Sequence, residues 1–151
     1  MAALSWKARW AWALRLKCFL MKAFELVYIV EDDLITSKIN KLLLKQHAAF
    51  GTVQQYLNGQ TAFEALQAVA QYGQPVPDLI LLDLNMPVMD GWEFLDAFGA
   101  LHLAGRVCIC VLTSSIDPDD LEKSHAYEEV KGFFTKPLDG ESLDQMAALA
   151  A

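Results

Sequence analysis

Cysteine is scarce and poorly spaced for a framework. The chain has three, Cys18, Cys108 and Cys110, an odd number with no Cys-x-x-Cys pair, which excludes a disulfide scaffold and suits a reducing compartment. Long apolar runs are also missing. Between Arg9 and Arg15 only five residues are uncharged, against the roughly 20 that span a bilayer, so no membrane span is expected. A secretory signal is excluded as well, because Lys17, Lys22 and Glu25 interrupt each candidate apolar core. Histidine is thin: His47, His102 and His125 have no partner spacing, so none reads as a metal ligand or a phosphohistidine.

Charge is absent in a different way at each end. Residues 1–23 hold Lys7, Arg9, Arg15, Lys17 and Lys22 and no acid, which leaves −12 on residues 24–151. A body that acidic repels phosphate backbones, so direct nucleic-acid binding is not expected. The acids serve solubility, cations or basic partners instead.

What is present fits one globular domain: 151 residues, 54% hydrophobic and 21% charged. Residues 1–20 form a basic leader with Trp6, Trp10 and Trp12. On a helix its charges at positions 7, 9, 15 and 17 would point to about 340°, 180°, 60° and 260°, which is no interfacial face. Met21-Lys22 stands directly before a clean strand, so the working domain is expected at 21–151. The leader then reads as an upstream start or a non-native addition, with a docking or dimerising helix as the alternative.

From Phe24 onward, short apolar runs alternate with amphipathic stretches, the pattern of strands alternating with helices. Strands are expected at Phe24 to Val30, Thr52 to Leu57, Asp78 to Leu82, Val107 to Leu112 and Gly132 to Thr135. The second is polar enough for a sheet edge. The first helix has Asp33 as its cap and Ile35, Ile39, Leu42 and Leu43 at helical spacing. Further helices run over Thr61 to Gln71, Gly91 to Leu101, from Asp117-Pro118, and over Gly140 to Ala150; Trp92, Phe94, Leu95 and Phe98 make the buried side of the third. Five βα units make an α/β, doubly wound parallel sheet with helices on both faces.

In such sheets the site lies outside the carboxyl ends of the strands. There the sequence has Glu31, Asp32 and Asp33 after strand one, Asp83 after strand three, Thr113, Ser114 and Ser115 after strand four, and Lys136-Pro137 after strand five. Carboxylates converging from separate strands repel unless neutralised, and hard oxygen ligands select Mg²⁺ or Mn²⁺. Each acid alone is most simply a helix cap or a loop residue. Four strands ending together in acid, acid, hydroxyl and lysine outweigh that reading. Cys108 and Cys110, two apart in an apolar strand, read as core rather than as metal ligands.

Asp83-Leu84-Asn85-Met86-Pro87-Val88-Met89-Asp90-Gly91, with the acids, Thr113 and Lys136 in this order, resembles the receiver domain of bacterial response regulators over Met21 to about Leu149. The resemblance implies the flavodoxin-like strand order 2-1-3-4-5. It implies Asp83 as the phosphoacceptor for a sensor histidine kinase or phosphotransfer protein, a Mg²⁺ (or Mn²⁺) held by Glu31, Asp32, Asp83 and the Asn85 backbone carbonyl, and Lys136 on a phosphoryl oxygen. Thr113 and Phe133 would form the switch, Phe133 without a hydroxyl, and Asn85 and Ser115 would tune phosphate lifetime. A downstream target would read helix 4, strand 5 and helix 5.

Only 14 residues follow Pro137, so a single-domain, cytoplasmic regulator is expected, whose output is a partner and whose only catalysis is its own phosphorylation and slow dephosphorylation. The alternative is a phosphorylation-independent, receiver-like interaction module. A flavin carrier is disfavoured because Glu31 to Asp33 would repel the flavin phosphate. A hydrolase is disfavoured because position 85 is Asn and no insertion is large enough for a cap.

Overall fold

The computed structural model describes residues 22–103, 106–114 and 116–150. The expectations for the leader, Cys18 and Ser115 lie outside them. Five strands, β1 (Phe24–Val30), β2 (Phe50–Tyr56), β3 (Leu79–Leu82), β4 (Cys108–Thr113) and β5 (Val130–Thr135), alternate with five helices, α1 (Leu34–Gln46), α2 (Gly59–Tyr72), α3 (Gly91–Gly99), α4 (Pro118–Ser124) and α5 (Gly140–Ala148). The strands form one parallel sheet in the order β2-β1-β3-β4-β5. The polar second strand is at an edge, as its composition predicts.

The pleat sends alternate residues to opposite faces, and both faces are covered. Val27, Ile29, Leu79, Leu81, Cys110 and Leu112 join one core with Leu44, Leu143 and Met146 from α1 and α5. Tyr28, Val30, Ile80, Leu82 and Ile109 join the other with Leu66, Phe94 and Phe98 from α2 and α3. Helix starts follow from side-chain caps: Asp33 accepts from the Thr36 N–H at 2.8 Å, and Asn58 from the Thr61 N–H at 2.9 Å. Asp90 and Glu93 form a reciprocal capping box on α3. Gly73, at φ 65°, ends α2 in the left-handed conformation that glycine adopts without strain.

Two boundaries differ from the sequence reading for a physical reason. β5 starts at Val130 rather than Gly132 because a register shift, with Ile109 opposite Val130 and Cys110 opposite Gly132, carries Lys131 as an extra residue. β2 starts at Phe50, whose ring stacks on Phe24 with centroids 5.9 Å apart. The larger difference is in α1. Its inner side is Ser37, Asn40 and Leu44, with Leu43 half-buried against the same core as expected, while Ile35, Ile39 and Leu42 are 71%, 51% and 57% exposed.

Val88 sits in the loop before α3 at φ 71°, where a β-branched residue is strained. Its side chain is exposed, so replacing it removes strain without removing packing. Val88→Asn is expected to stabilise the domain by about 1 kcal/mol, read as a higher urea midpoint at unchanged slope.

Candidate functional site

The sheet ladder continues past the strand ends and fixes the residues that carry the chemistry. The Glu31 N–H donates to the Tyr56 carbonyl at 3.0 Å, the Asp83 N–H to the Val30 carbonyl at 3.0 Å, and the Lys136 N–H to the Thr113 carbonyl at 2.7 Å. Each side chain therefore starts from backbone held by a neighbouring strand.

Glu31, Asp32 and Asp83 each bring a carboxylate oxygen to within 4.8 Å of the others. Glu31 and Asp83 are buried and Asp32 is exposed. Lys136 reaches into this cluster, with its Nζ 3.2 Å from Asp83 Oδ2 and in direct contact with Glu31 Oε2. Glu31 Oε1 accepts from the Asp33 N–H at 3.1 Å, and Asp83 Oδ1 from the Asn85 N–H at 3.2 Å. The Lys136–Pro137 peptide is cis.

The electrostatics follow from this crowding. Burial pushes the Glu31 carboxyl up to about 6, and the negative charge of Asp83 adds to that; the Lys136 ammonium and the Asp33 N–H pull the other way without cancelling it. Burial would lower Lys136, but its hydrogen bond to Glu31 and the charge of Asp83 outweigh that and hold it above the usual lysine range. One ammonium thus touches two of the three carboxylates, and the buried Glu31 Oε2 rests directly against it. An oxygen-only set of three carboxylates with surplus negative charge fits a hard divalent cation.

The loop that follows β3 is held tightly. Gly91 opens α3 with its N–H on the Leu84 carbonyl at 3.0 Å, and a Cβ there would lie 2.7 Å from the Asp83 carbonyl oxygen and 2.8 Å from Leu84 Cα. Only glycine allows that approach. Thr113 is buried at the end of β4. Thr113 pairs with Thr135 and Val111 with Phe133, so the alternation of side chains puts Thr113 and Phe133 on one face of the sheet, with Phe133 half-buried. Asn85 is exposed beside Asp83. Asp33 serves as the α1 cap, as the sequence suggests.

Two features escaped the sequence reading. The direct contact of Lys136 with Glu31 joins groups 105 positions apart, and nothing local signals it. The Asp33 backbone N–H, rather than its side chain, steadies Glu31.

A model of the response regulator receiver domain matches residues 27–148. The chain belongs to this family. The receiver domain is 31% identical over 123 residues to the response regulator Rcp1 of Synechocystis sp., covering 81% of this chain and 83% of that one. It is 28% identical over 123 residues to the chemotaxis protein CheY of Listeria monocytogenes, with 82% and 95% covered. Among solved structures, a two-component response regulator from Cytophaga hutchinsonii superposes with a TM-score of 0.79 at 27% identity, covering 86% of this chain and 98% of that chain. Rcp1 itself is known in a Mn²⁺-bound form, TM-score 0.65 at 31% identity, with 82% and 88% covered. Among the described residues no helix is long and apolar enough to cross a membrane.

Proposed function

We propose that this receiver domain accepts a phosphoryl group on Asp83 from a sensor histidine kinase or phosphotransfer protein, and that the modified state is read by a partner. One observation carries the reading: at the strand ends, three carboxylates and a lysine converge on a single point, with Asp83 Oδ2 3.2 Å from the Lys136 ammonium. Glu31, Asp32 and Asp83 would hold Mg²⁺ or Mn²⁺, with the Asn85 carbonyl completing the protein ligands. When bound, the ion neutralises charge on the transferring phosphoryl oxygens. Lys136 neutralises a further oxygen, Asp83 is the nucleophile, and the fixed strand ends supply orientation. Thr113 and Phe133, on one face of the sheet, couple the phosphoryl group to the α4-β5-α5 surface, while Asn85 and Ser115 tune how long it stays. The reduced thiols of Cys108 and Cys110 accord with a cytoplasmic protein.

The α1 surface supports a protein donor. Leu34, Ile35, Ile39 and Leu42 are exposed on a helix that carries Lys38, Lys41 and Lys45 and no acid, directly after the acid cluster. In a domain otherwise so acidic, this face suits a donor helix with an apolar stripe flanked by carboxylates.

The test is incubation of the full chain with Mg²⁺ and acetyl phosphate. A mass gain of one phosphate on Asp83, stable in acid, labile in base and abolished by EDTA, is expected. No gain, or one indifferent to EDTA, overturns the reading. A target captured equally by the untreated and beryllofluoride-treated chain would favour the phosphorylation-independent module instead.

A further inference from the structure

Between α1 and the carboxyl ends of β4 and β5 lies an open cavity of about 310 Å³, at the small end of the range for small-molecule sites. Thr36, Ile39 and Asn40 form one wall, and Ser114, Lys136 and Pro137 the other. Asn40 is 3% exposed, and its Nδ2 is buried without a hydrogen-bond partner. Ser37, the other buried polar residue of α1, has one, accepting from the Gln55 side chain at 2.7 Å. Buried polar groups in native proteins are nearly always paired, and for packing alone an apolar residue at position 40 would serve better. The unmet donor in the wall of a cavity therefore marks the place of an acceptor that the chain does not supply. We propose that this cavity holds the acyl group of a small acyl phosphate, its carbonyl accepting from Asn40 Nδ2, so that Asp83 takes phosphate from such a molecule as well as from a protein, an inference that rests on Asp83 being the phosphoacceptor.

Position and charge together select this ligand. Lys136 belongs to the cavity and to the acid cluster alike, with its Nζ 3.2 Å from Asp83 Oδ2. A donor whose phosphoryl end lies against Lys136 and Asp83 therefore has the cavity for its remainder. Glu31, Asp32 and Asp83 repel a free carboxylate at this edge, so the acceptor for Asn40 is neutral while the donor is bound. The carbonyl of a carboxylic-phosphoric anhydride meets that condition, and its short aliphatic chain rests on Ile39 and Pro137.

The transfer balances without a co-reactant. A carboxylate oxygen of Asp83 bonds to phosphorus, the bridging P–O bond breaks, and its electron pair leaves with the acyl group as a carboxylate; no proton moves. Negative charge grows on the acyl oxygens as that bond breaks, so the Asn40 donor holds the transition state more strongly than the bound donor. The neighbouring acids then repel the product carboxylate.

The experiment compares two donors on the full chain with Mg²⁺: acetyl phosphate, and phosphoramidate, whose leaving group has no carbonyl. Each variant rate is divided by the rate of the unmodified chain with the same donor, which cancels intrinsic reactivity. Asn40→Leu, similar in size, should slow phosphate uptake from acetyl phosphate about three- to tenfold, the scale of one neutral hydrogen bond, and uptake from phosphoramidate less than about twofold. On the unmodified chain, acetonylphosphonate keeps the carbonyl and cannot transfer its phosphorus. It should inhibit phosphoramidate uptake at a concentration at least about threefold lower than n-propylphosphonate, which lacks the carbonyl, and Asn40→Leu should close that gap. Equal losses with both donors, equal potency of the two phosphonates, or a gap that Asn40→Leu leaves open overturns the acyl site. Uptake from neither donor by the unmodified chain overturns the role of Asp83 itself, and the acyl site with it.

Discussion

Asp83→Asn is expected to stay folded and to take up no phosphate from any donor. The amide keeps the Oδ1 acceptor for the Asn85 N–H, 3.2 Å away in the unmodified domain, so the loop keeps its tie to the end of β3. It removes the proposed nucleophile and one of the three carboxylates within 4.8 Å of one another. Divalent affinity should fall by about tenfold or more, as happens when a group supporting a metal is lost. Without a cation, the loss of one negative charge beside Glu31 relieves repulsion, which offsets the weakened contact with Lys136. The unfolding free energy should then change by no more than about 1 kcal/mol, while the stabilisation that Mg²⁺ gives the unmodified domain shrinks with the affinity. Intact mass after acetyl phosphate treatment, and thermal unfolding with and without Mg²⁺, read the two effects separately. Base-labile phosphate on the variant would move the acceptor elsewhere.

How much of this was legible in the chain differs from element to element. β1 runs from Phe24 to Val30, as the apolar run predicts, because Val27 to Val30 are buried on a strand covered on both faces and the exposed Glu25 interrupts the run only near its start. The convergence of Glu31, Asp32, Asp83 and Lys136 followed from topology: parallel strands with right-handed crossovers put every carboxyl end at one edge. The inward face of α1 did not follow. Periodicity shows that Ile35, Ile39 and Leu42 share a side but not that this side meets the sheet, and the helix instead packs through Ser37, Asn40 and Leu44. Leu44 anchors the core side, and Ser37 accepts a hydrogen bond from the Gln55 side chain at 2.7 Å. The positive φ of Val88 was equally hidden, since valine is among the least expected residues in that conformation.

Lys136→Met is expected to separate two roles that one side chain combines. In the domain without a cation, the Lys136 ammonium is, among the described residues, the one positive charge in contact with Glu31 and Asp83, and so occupies the electrostatic place a divalent ion would take. Glu31 is 2% exposed and its Oε2 rests against that ammonium. Removing the ammonium leaves that carboxylate buried beside Asp83 with only the Asp33 and Asn85 backbone N–H groups to steady the two charges. Breaking such a pair from one side costs about 3 to 5 kcal/mol when both groups are buried; because Lys136 is one-fifth exposed, a loss nearer about 2 kcal/mol is expected. Mg²⁺ should restore much of it, since the freed Oε2 becomes available to the ion, and divalent affinity should hold or rise. Phosphate uptake should behave in the opposite way, falling by about 10²- to 10³-fold even at saturating Mg²⁺, the scale for losing one preorganised charge at a reacting oxygen. Urea unfolding with and without Mg²⁺, paired with the rate of mass gain from acetyl phosphate, tests both halves. Uptake at the unmodified rate would reduce Lys136 to a counterion for Glu31, and a loss of stability that Mg²⁺ leaves untouched would detach it from the cation site.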